Sequence, residues 1–370
     1  MAIFDNDVNV FVEVGFAAGP VTTGVAWTDI TKYAKQVRTQ RGRSHELDNI
    51  QAGTLTVDLD NRDRRFDPSD TGSPYGSTNL IPMKPIRVKA VHSGTTYQLW
   101  RGLVESWPQQ WEEGGLAQQT PLRAVDGLKV FAFHETGTTH PQETAGARIK
   151  ALLQEGAWST AKMSLQAGSS VKAHTGTCTH ILSEVGTVAD SDGGLFFMSP
   201  AGVATYQSST YRAAQTITST FGEQELGYHE LVLGYDEQQI WNDVTVMFEG
   251  NVSAHTTHST ASIDKYGRRK LKQFDMLMTS SVQADARAAS LIARYKDPHL
   301  RVERMTVAPR ADPANLWPVV LGAELSDKYR VRRRYASGNP TVIEGFVESV
   351  SHSFNVEKEW NTSFVVSPST

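Results

Sequence analysis

The sequence has a single cysteine, Cys178, in 370 residues. One thiol can form neither an intrachain disulfide nor a thiolate zinc cluster, which is consistent with folding in a reducing cytoplasm. Long apolar runs are missing too. No segment approaches the ~20 apolar residues of a membrane-spanning helix. The opening Met1-Ala2-Ile3-Phe4-Asp5-Asn6-Asp7 lacks the basic-then-apolar layout of a secretion signal, so neither export by that route nor a membrane anchor is expected. Charge of one sign is scarce: 36 basic against 40 acidic residues leave −4, giving no net pull toward nucleic acid or an anionic membrane. The chain does have length for two or three domains and a hydrophobic fraction of 39%, which suits a globular protein with proper cores.

Val8, Val10, Val12 and Val14 alternate with Asn9, Phe11 and Glu13, and Leu55, Val57 and Leu59 alternate with Thr54, Thr56 and Asp58. That is the period of strands with one face in a core. Turn clusters at Gly19-Pro20, Gly72-Ser73-Pro74, Gly94 and Gly114-Gly115 complete an antiparallel β-domain over 1–134. The period then changes. Ala145, Ile149, Leu152 and Leu153 share a helical face closed by Gly156, and Cys178, Ile181, Leu182 and Val185 mark a second short helix. With a hairpin at Leu195–Met198 and Val203–Tyr206, residues 135–210 read as an α+β insert. Strand signals resume at Glu230–Leu233 and Asp243–Phe248 and again from 301 to the end. Between them the Ala-rich stretch Ser281 to Tyr295 is the best helix in the chain, with Val282, Ala286, Ala289 and Leu291/Ile292 on one side. A second β-domain is therefore expected from 211–250 and 301–370, interrupted by a 251–300 insert. The fold class is mainly β, with two antiparallel β-domains and smaller inserted domains.

An internal echo connects the two β-regions. Gly102-Leu103-Val104-Glu105-Ser106 and Gly345-Phe346-Val347-Glu348-Ser349 agree at four of five positions. Each copy is preceded by a strand and a polar turn, Ile86–Val91 with Ser93-Gly94 and Tyr329–Tyr335 with Ser337–Pro340. Each is followed by a further strand, at Leu122–Val125 and Thr362–Val366. One chain is expected to hold the same β-unit twice, so that an oligomer presents twice its number of equivalent units.

Patterns that could carry chemistry are sparse. Ser169-Ser170-Val171-Lys172 fits the Ser-x-x-Lys of acyl enzymes but has no Ser-Asp-Asn or Lys-Thr-Gly partner, and its neighbours suggest a loop. Cys178 and His180 stand two apart, which on a helix points them in different directions. His255 and His258 lack a third ligand at metal spacing. Asp58, Asp60, Asp63, Asp67 and Asp70 suggest calcium, yet an EF-hand read from Asp58 places Asp63 where glycine is required; Arg62, Arg64 and Arg65 are better seen as neutralising a turn-rich loop. Of two basic runs, Arg38/Arg41/Arg43 and Arg330/Arg332/Arg333/Arg334, the second could form a phosphate stripe, a charge-protected edge or a polar subunit contact. The eight tryptophans are scattered and read mostly as core. No catalytic, metal or cofactor residue is assigned.

Trp27–Tyr33, Arg41–Asp48, Leu59–Pro68 and Asn79–Val88, together with Tyr266–Arg269 and the Ser281 to Tyr295 helix followed by Asp297-Pro298, resemble minor tail proteins of long-tailed bacteriophages, the baseplate hub or tail-tip proteins. What the resemblance implies is a two-barrel fold with inserts and a homotrimer whose six barrels continue the six-subunit rings of the tail tube. It also implies a virion tail-tip location after assembly in the host cytoplasm. Expected partners are a distal tail protein or tail tube ring, a tape measure protein, and fibre or receptor-binding proteins, with phage DNA in transit and no sequence-specific binding. Longer relatives carry peptidase or fibre modules, so cell-wall cleavage is expected from another protein. The alternatives are a tail-associated cell-wall hydrolase, using polar residues of the middle insert, and a carbohydrate-binding tail module.

Alternation in the echoed strands places Gly102, Val104 and Ser106 on one face, and Leu103, Glu105 and Trp107 on the other. Gly345, Val347 and Ser349, against Phe346, Glu348 and Val350, repeat this. Leu103, Trp107, Phe346 and Val350 are the expected packing residues between barrels or subunits. Glu105 and Glu348 are the candidates for an acidic lumen, which would avoid retaining DNA, or else pair with Arg101 and other basic neighbours.

Overall fold

The computed structural model describes residues 8–112, 114, 117–175, 179–250 and 253–369; Cys178 lies outside them. The first β-unit begins with β1 (Val8–Val14), whose four valines are at most 1% exposed because the alternation puts all of them on the core side. It continues with β2 (Ala34–Gly42), β3 (Gln51–Asp60), β4 (Pro85–His92), β5 (Thr95–Ser106), β6 (Gln110–Glu112) and β7 (Ala117–Val125). The strands pair in the order β2-β3-β7-β5-β4-β1, all antiparallel, with β6 extending the β5 side against β7. Trp100 and Phe66 fill the core, where Phe66 stacks on Trp107 and Tyr75.

The chain then leaves the sheet through α1 (Leu128–Ala132), α2 (Ala145–Glu155) and α3 (Ile181–Asp192), followed by the hairpin β8 (Leu195–Met198) and β9 (Ala204–Gln207). Thr144 caps α2 by accepting the Ala147 N–H, and Gly156 ends it. Leu128 and Phe131 belong to the core of this insert, so its packing starts a helix earlier than 135.

The second β-unit opens with β10 (Ile217–Gly222) and β11 (Glu230–Gly234). An insert intervenes: β12 (Asp243–Phe248), β13 (His255–His258), α4 (Thr260–Tyr266), β14 (Lys270–Met276) and α5 (Ser281–Tyr295). The unit resumes with β15 (Arg301–Val307), α6 (Pro313–Gly322), β16 (Lys328–Arg333), β17 (Thr341–Asn355) and β18 (Trp360–Pro368). Its order is β11-β15-β18-β17-β16-β10, and the two units join through β17 and β2 into one 14-stranded sheet. The fold is mainly β, with two barrel-type units and α+β inserts; among the described residues the ladder runs as one path through both units.

Four sequence expectations need correction. Strand β12 pairs with β13 and β14 in a separate three-stranded sheet, so it belongs to the insert and the boundary lies before 243. Helix α5 has its expected bounds and buries Leu291 and Ile292 as expected, but with Ala284, Ala288 and Tyr295 beside them, while Val282, Ala286 and Ala289 face out. Small alanines carry little apolar signal, so the N-terminal part of the stripe is poorly fixed by sequence. Strand β10 runs parallel to β16, whereas β1 is antiparallel to β4. Finally, α6 occupies a stretch expected to be strand, because the short apolar run Leu316–Leu321 has no clear period of its own. Its position matters for the fold: Trp317 and Leu321 enter the first core while Leu316 and Val320 enter the second, tying the units together.

Candidate functional site: the seam between the two β-units

The echoed segments occupy the same place in both units, down to the backbone. Leu103, Val104 and Ser106 oppose Val125, Ala124 and Arg123; Phe346, Val347 and Ser349 oppose Ser367, Val366 and Val365. In each case the glutamate is skipped, so Glu105 and Glu348 are the extra residues of equivalent β-bulges. Strict alternation therefore fails there, and Leu103 and Val104 are both buried. Upstream, Met83 and Ser326 both adopt the left-handed region, with φ of 67° and 70°. The bonds that follow also correspond: Met83 N–H to Val104 O (2.7 Å) and Val104 N–H to Lys84 O (2.8 Å) match Ser326 N–H to Val347 O and Val347 N–H to Asp327 O (both 2.9 Å). Gly102 and Gly345 are required by the same close approach. A Cβ on Gly102 would lie 2.1 Å from Val125 O, and one on Gly345 2.2 Å from Ser367 O.

The second half of β17 stays paired with β18 on one edge and on the other pairs with β2, from Ser349 opposite Gly42 to Asn355 opposite Gln36. This seam is held by buried charge. The Glu348 side chain, fully buried, accepts from Arg43 Nε at 2.8 Å and from Arg212 Nη1 and Nη2 at 2.5 and 3.0 Å. Burial alone would raise its carboxyl, but the Arg212 and Arg43 guanidinium groups outweigh that and hold it at about 2. Arg212 also donates to Ser326 Oγ at 3.0 Å and lies over the Phe346 ring. Beside this cluster Arg41, nearly buried, pairs with Glu324 at 2.8 Å. Burial pushes the Asp126 carboxyl up to about 7, where it accepts the Gly53 and Leu128 N–H groups. Burial and the Arg41 cation push His352 down to about 3, so its imidazole stays neutral, 2.9 Å from Thr362 Oγ1.

The residues singled out from the sequence sit as follows. Leu103, Trp107, Phe346 and Val350 are 4%, 6%, 3% and 1% exposed in the single chain, so their packing is internal and they offer no free surface to another subunit. Glu348 faces no lumen; it is the buried anion of the seam. Glu105, one-third exposed, forms an ion pair with Lys129 instead of Arg101. The carboxylates of the acidic loop pair with its own arginines, Asp60 with Arg62, Asp63 with Arg65 and Asp67 with Arg64. Arg330, Arg332, Arg333 and Arg334 face Glu344, Glu225, Glu223 and Glu225, so the second basic run is locally neutralised, and β16 is an interior strand rather than an edge. Lys172 directs its ammonium to Glu249 O, and His255 lies 2.9 Å from Asp285. Arg212 is the functional residue with no sequence signal; Arg43 was visible only as part of a basic run.

No protein-family model and no curated protein sequence matches the chain. Solved structures do. A tail protein from Neisseria meningitidis MC58 matches with a TM-score of 0.63 at 12% identity over 96% of both chains. The 43 kDa tail protein of prophage MuSo2 from Shewanella oneidensis matches at 0.60 and 10% identity, over 97% of this chain and 96% of that one. The chain has a phage tail-protein fold. An E. coli type VI secretion component, described as structurally similar to the T4 bacteriophage tail proteins gp27 and gp5, matches at 0.52 and 9% identity, over 91% of this chain and 73% of that one.

Proposed function

We infer that this protein is a non-enzymatic structural component of a phage tail, the trimeric baseplate hub at its distal end, where three copies present six equivalent units to a sixfold tube. The observation that carries this reading is the repetition of one backbone device, comprising a left-handed residue, a close-packed glycine and a glutamate bulge, at Met83/Gly102/Glu105 and Ser326/Gly345/Glu348. A threefold object built from such chains meets a sixfold ring without a gross surface mismatch. Neighbours on the tube side are a distal tail protein or tail tube ring; fibre or receptor-binding proteins attach below, the tape measure protein ends at the hub, and DNA passes through the channel. Glu105, still partly exposed, is the lumen candidate of the two glutamates.

Sedimentation of the purified protein tests the reading directly. The expected mass is three times 40.7 kDa, and averaged electron-microscope images should show a ring with six lobes. A monomer at all concentrations, or a twofold particle, rejects it. Clearing of peptidoglycan in a zymogram would favour a hydrolase instead.

A further inference from the structure

The repeat also specifies which strand edges carry no further strand among the described residues. Register through the sheet makes Leu231 the counterpart of Val37: Leu231 opposes Met305, which opposes Phe364, just as Val37 opposes Val57, which opposes Leu122. Strand β11, Glu230–Gly234, thus corresponds to Gln36–Gln40 of β2. Likewise Gln110 opposite Gln119 and Trp111 opposite Gln118 correspond to Ser353 opposite Asn361 and Phe354 opposite Trp360. Strand β6 is therefore the counterpart of the end of β17. Within one chain the end of β17 covers the edge of β2. Among the described residues the outer edges of β6 and β11 have no strand partner.

Side chains agree with this pairing of leftovers. Phe354, opposite Val37 in the internal seam, is 1% exposed, whereas its counterpart Trp111 is 59% exposed. Leu231 and Leu233, on one face of β11, are only half-buried beside Tyr228 and Tyr335, and together they line a shallow open groove. A sheet edge with no further strand on it is a template for pairing with another chain, and an exposed tryptophan beside it favours burial.

We propose that β11 of one copy and β6 of a second copy pair antiparallel, with Leu231 opposite Trp111 and Val232 opposite Gln110, repeating between copies the register that β2 and β17 use within one. The contact is head-to-tail, so it propagates until a ring closes; closure at three copies rests on the hub reading above. Glu230, which this register sets opposite Glu112, already holds Arg304 at 3.1 Å as its ion-pair partner.

Two measurements on the full chain test the proposal. Trp111→Glu, at an exposed position, is expected to keep the unfolding transition of the parent while its sedimentation mass falls from the trimer to 40.7 kDa. In a Cys178→Ser background, Trp111→Cys and Leu231→Cys chains mixed before oxidation are expected to give a disulfide-linked dimer, and each alone none; both substitutions in one chain should give linked species ending at three copies. If the parent is a trimer but Trp111→Glu leaves it intact and no cross-link forms, the strand pairing is wrong and the hub reading survives. If the parent sediments as a monomer, both fall.

Discussion

Glu105 and Glu348 occupy one bulge in two copies of a unit, yet their surroundings have diverged. Glu348 is sealed beneath a seam and shared by two guanidinium groups, while Glu105 meets a single lysine and water. The skeleton around them did not diverge. Glycine, bulge and left-handed residue are kept because each answers a steric demand of the backbone, which is the same in both copies. What a side chain does at such a position depends on whether a neighbouring strand has closed over it.

The largest effect should come from breaking the sealed member. Glu348→Ala strands Arg43 and Arg212 in a buried site and is expected to cost about 3–5 kcal/mol in urea unfolding at neutral pH. The pH dependence has a defined sign. Because the folded carboxyl is held below its ordinary 4.5 at about 2, its stabilisation is present above pH 4.5 and is lost as pH falls toward 2. Glu348→Gln should therefore flatten the acid limb of the stability curve. A variant as stable as the parent at pH 7 would mean that the seam does not depend on this ion pair.

Asp126 extends the contrast, since the corresponding position of the second unit is Pro368. Its folded carboxyl at about 7 lies above the ordinary 3.8, so the folded state keeps a proton that the unfolded chain releases. Its contribution is full below pH 4 and is lost as pH rises through 7. Over that window the parent should lose about 4 kcal/mol relative to Asp126→Asn. Parallel curves for the two proteins would contradict the burial assigned to this group.

Strand positions, α2 with its Gly156 stop, and the bounds of α5 were legible because each has a strong local period or terminus signal. The echo was legible as letters. Its meaning was not, because a bulge breaks the alternation from which faces were assigned, moving Glu348 from a supposed wall into a core. Trp107 and Phe346 read equally well as interface or interior, since apolar character alone does not say which surface covers it. Arg212 was invisible: its partner lies 136 residues away and is reached only through the sheet. Trp111, adjacent to the echo, was counted among scattered core tryptophans, and only its 59% exposure separates it from them.

The glycines probe what the two units share. Gly102→Ala and Gly345→Ala each push a methyl into a carbonyl of the paired strand and are expected to destabilise by about 1–3 kcal/mol, by similar amounts in the two units. A large difference between them in the same unfolding assay would show that the repeat is not equivalent at the backbone.

The smallest effect belongs to Glu105. Its Lys129 partner and its own side chain are each about one-third exposed, so the pair is screened by water and salt and Glu105→Gln should change stability by less than about 1 kcal/mol. Set beside Glu348→Gln in one experiment, this isolates burial as the variable, since backbone position and residue type are held constant. Comparable losses would mean that Glu105 too is closed over, and the strand able to do that is one contributed by another copy of the chain.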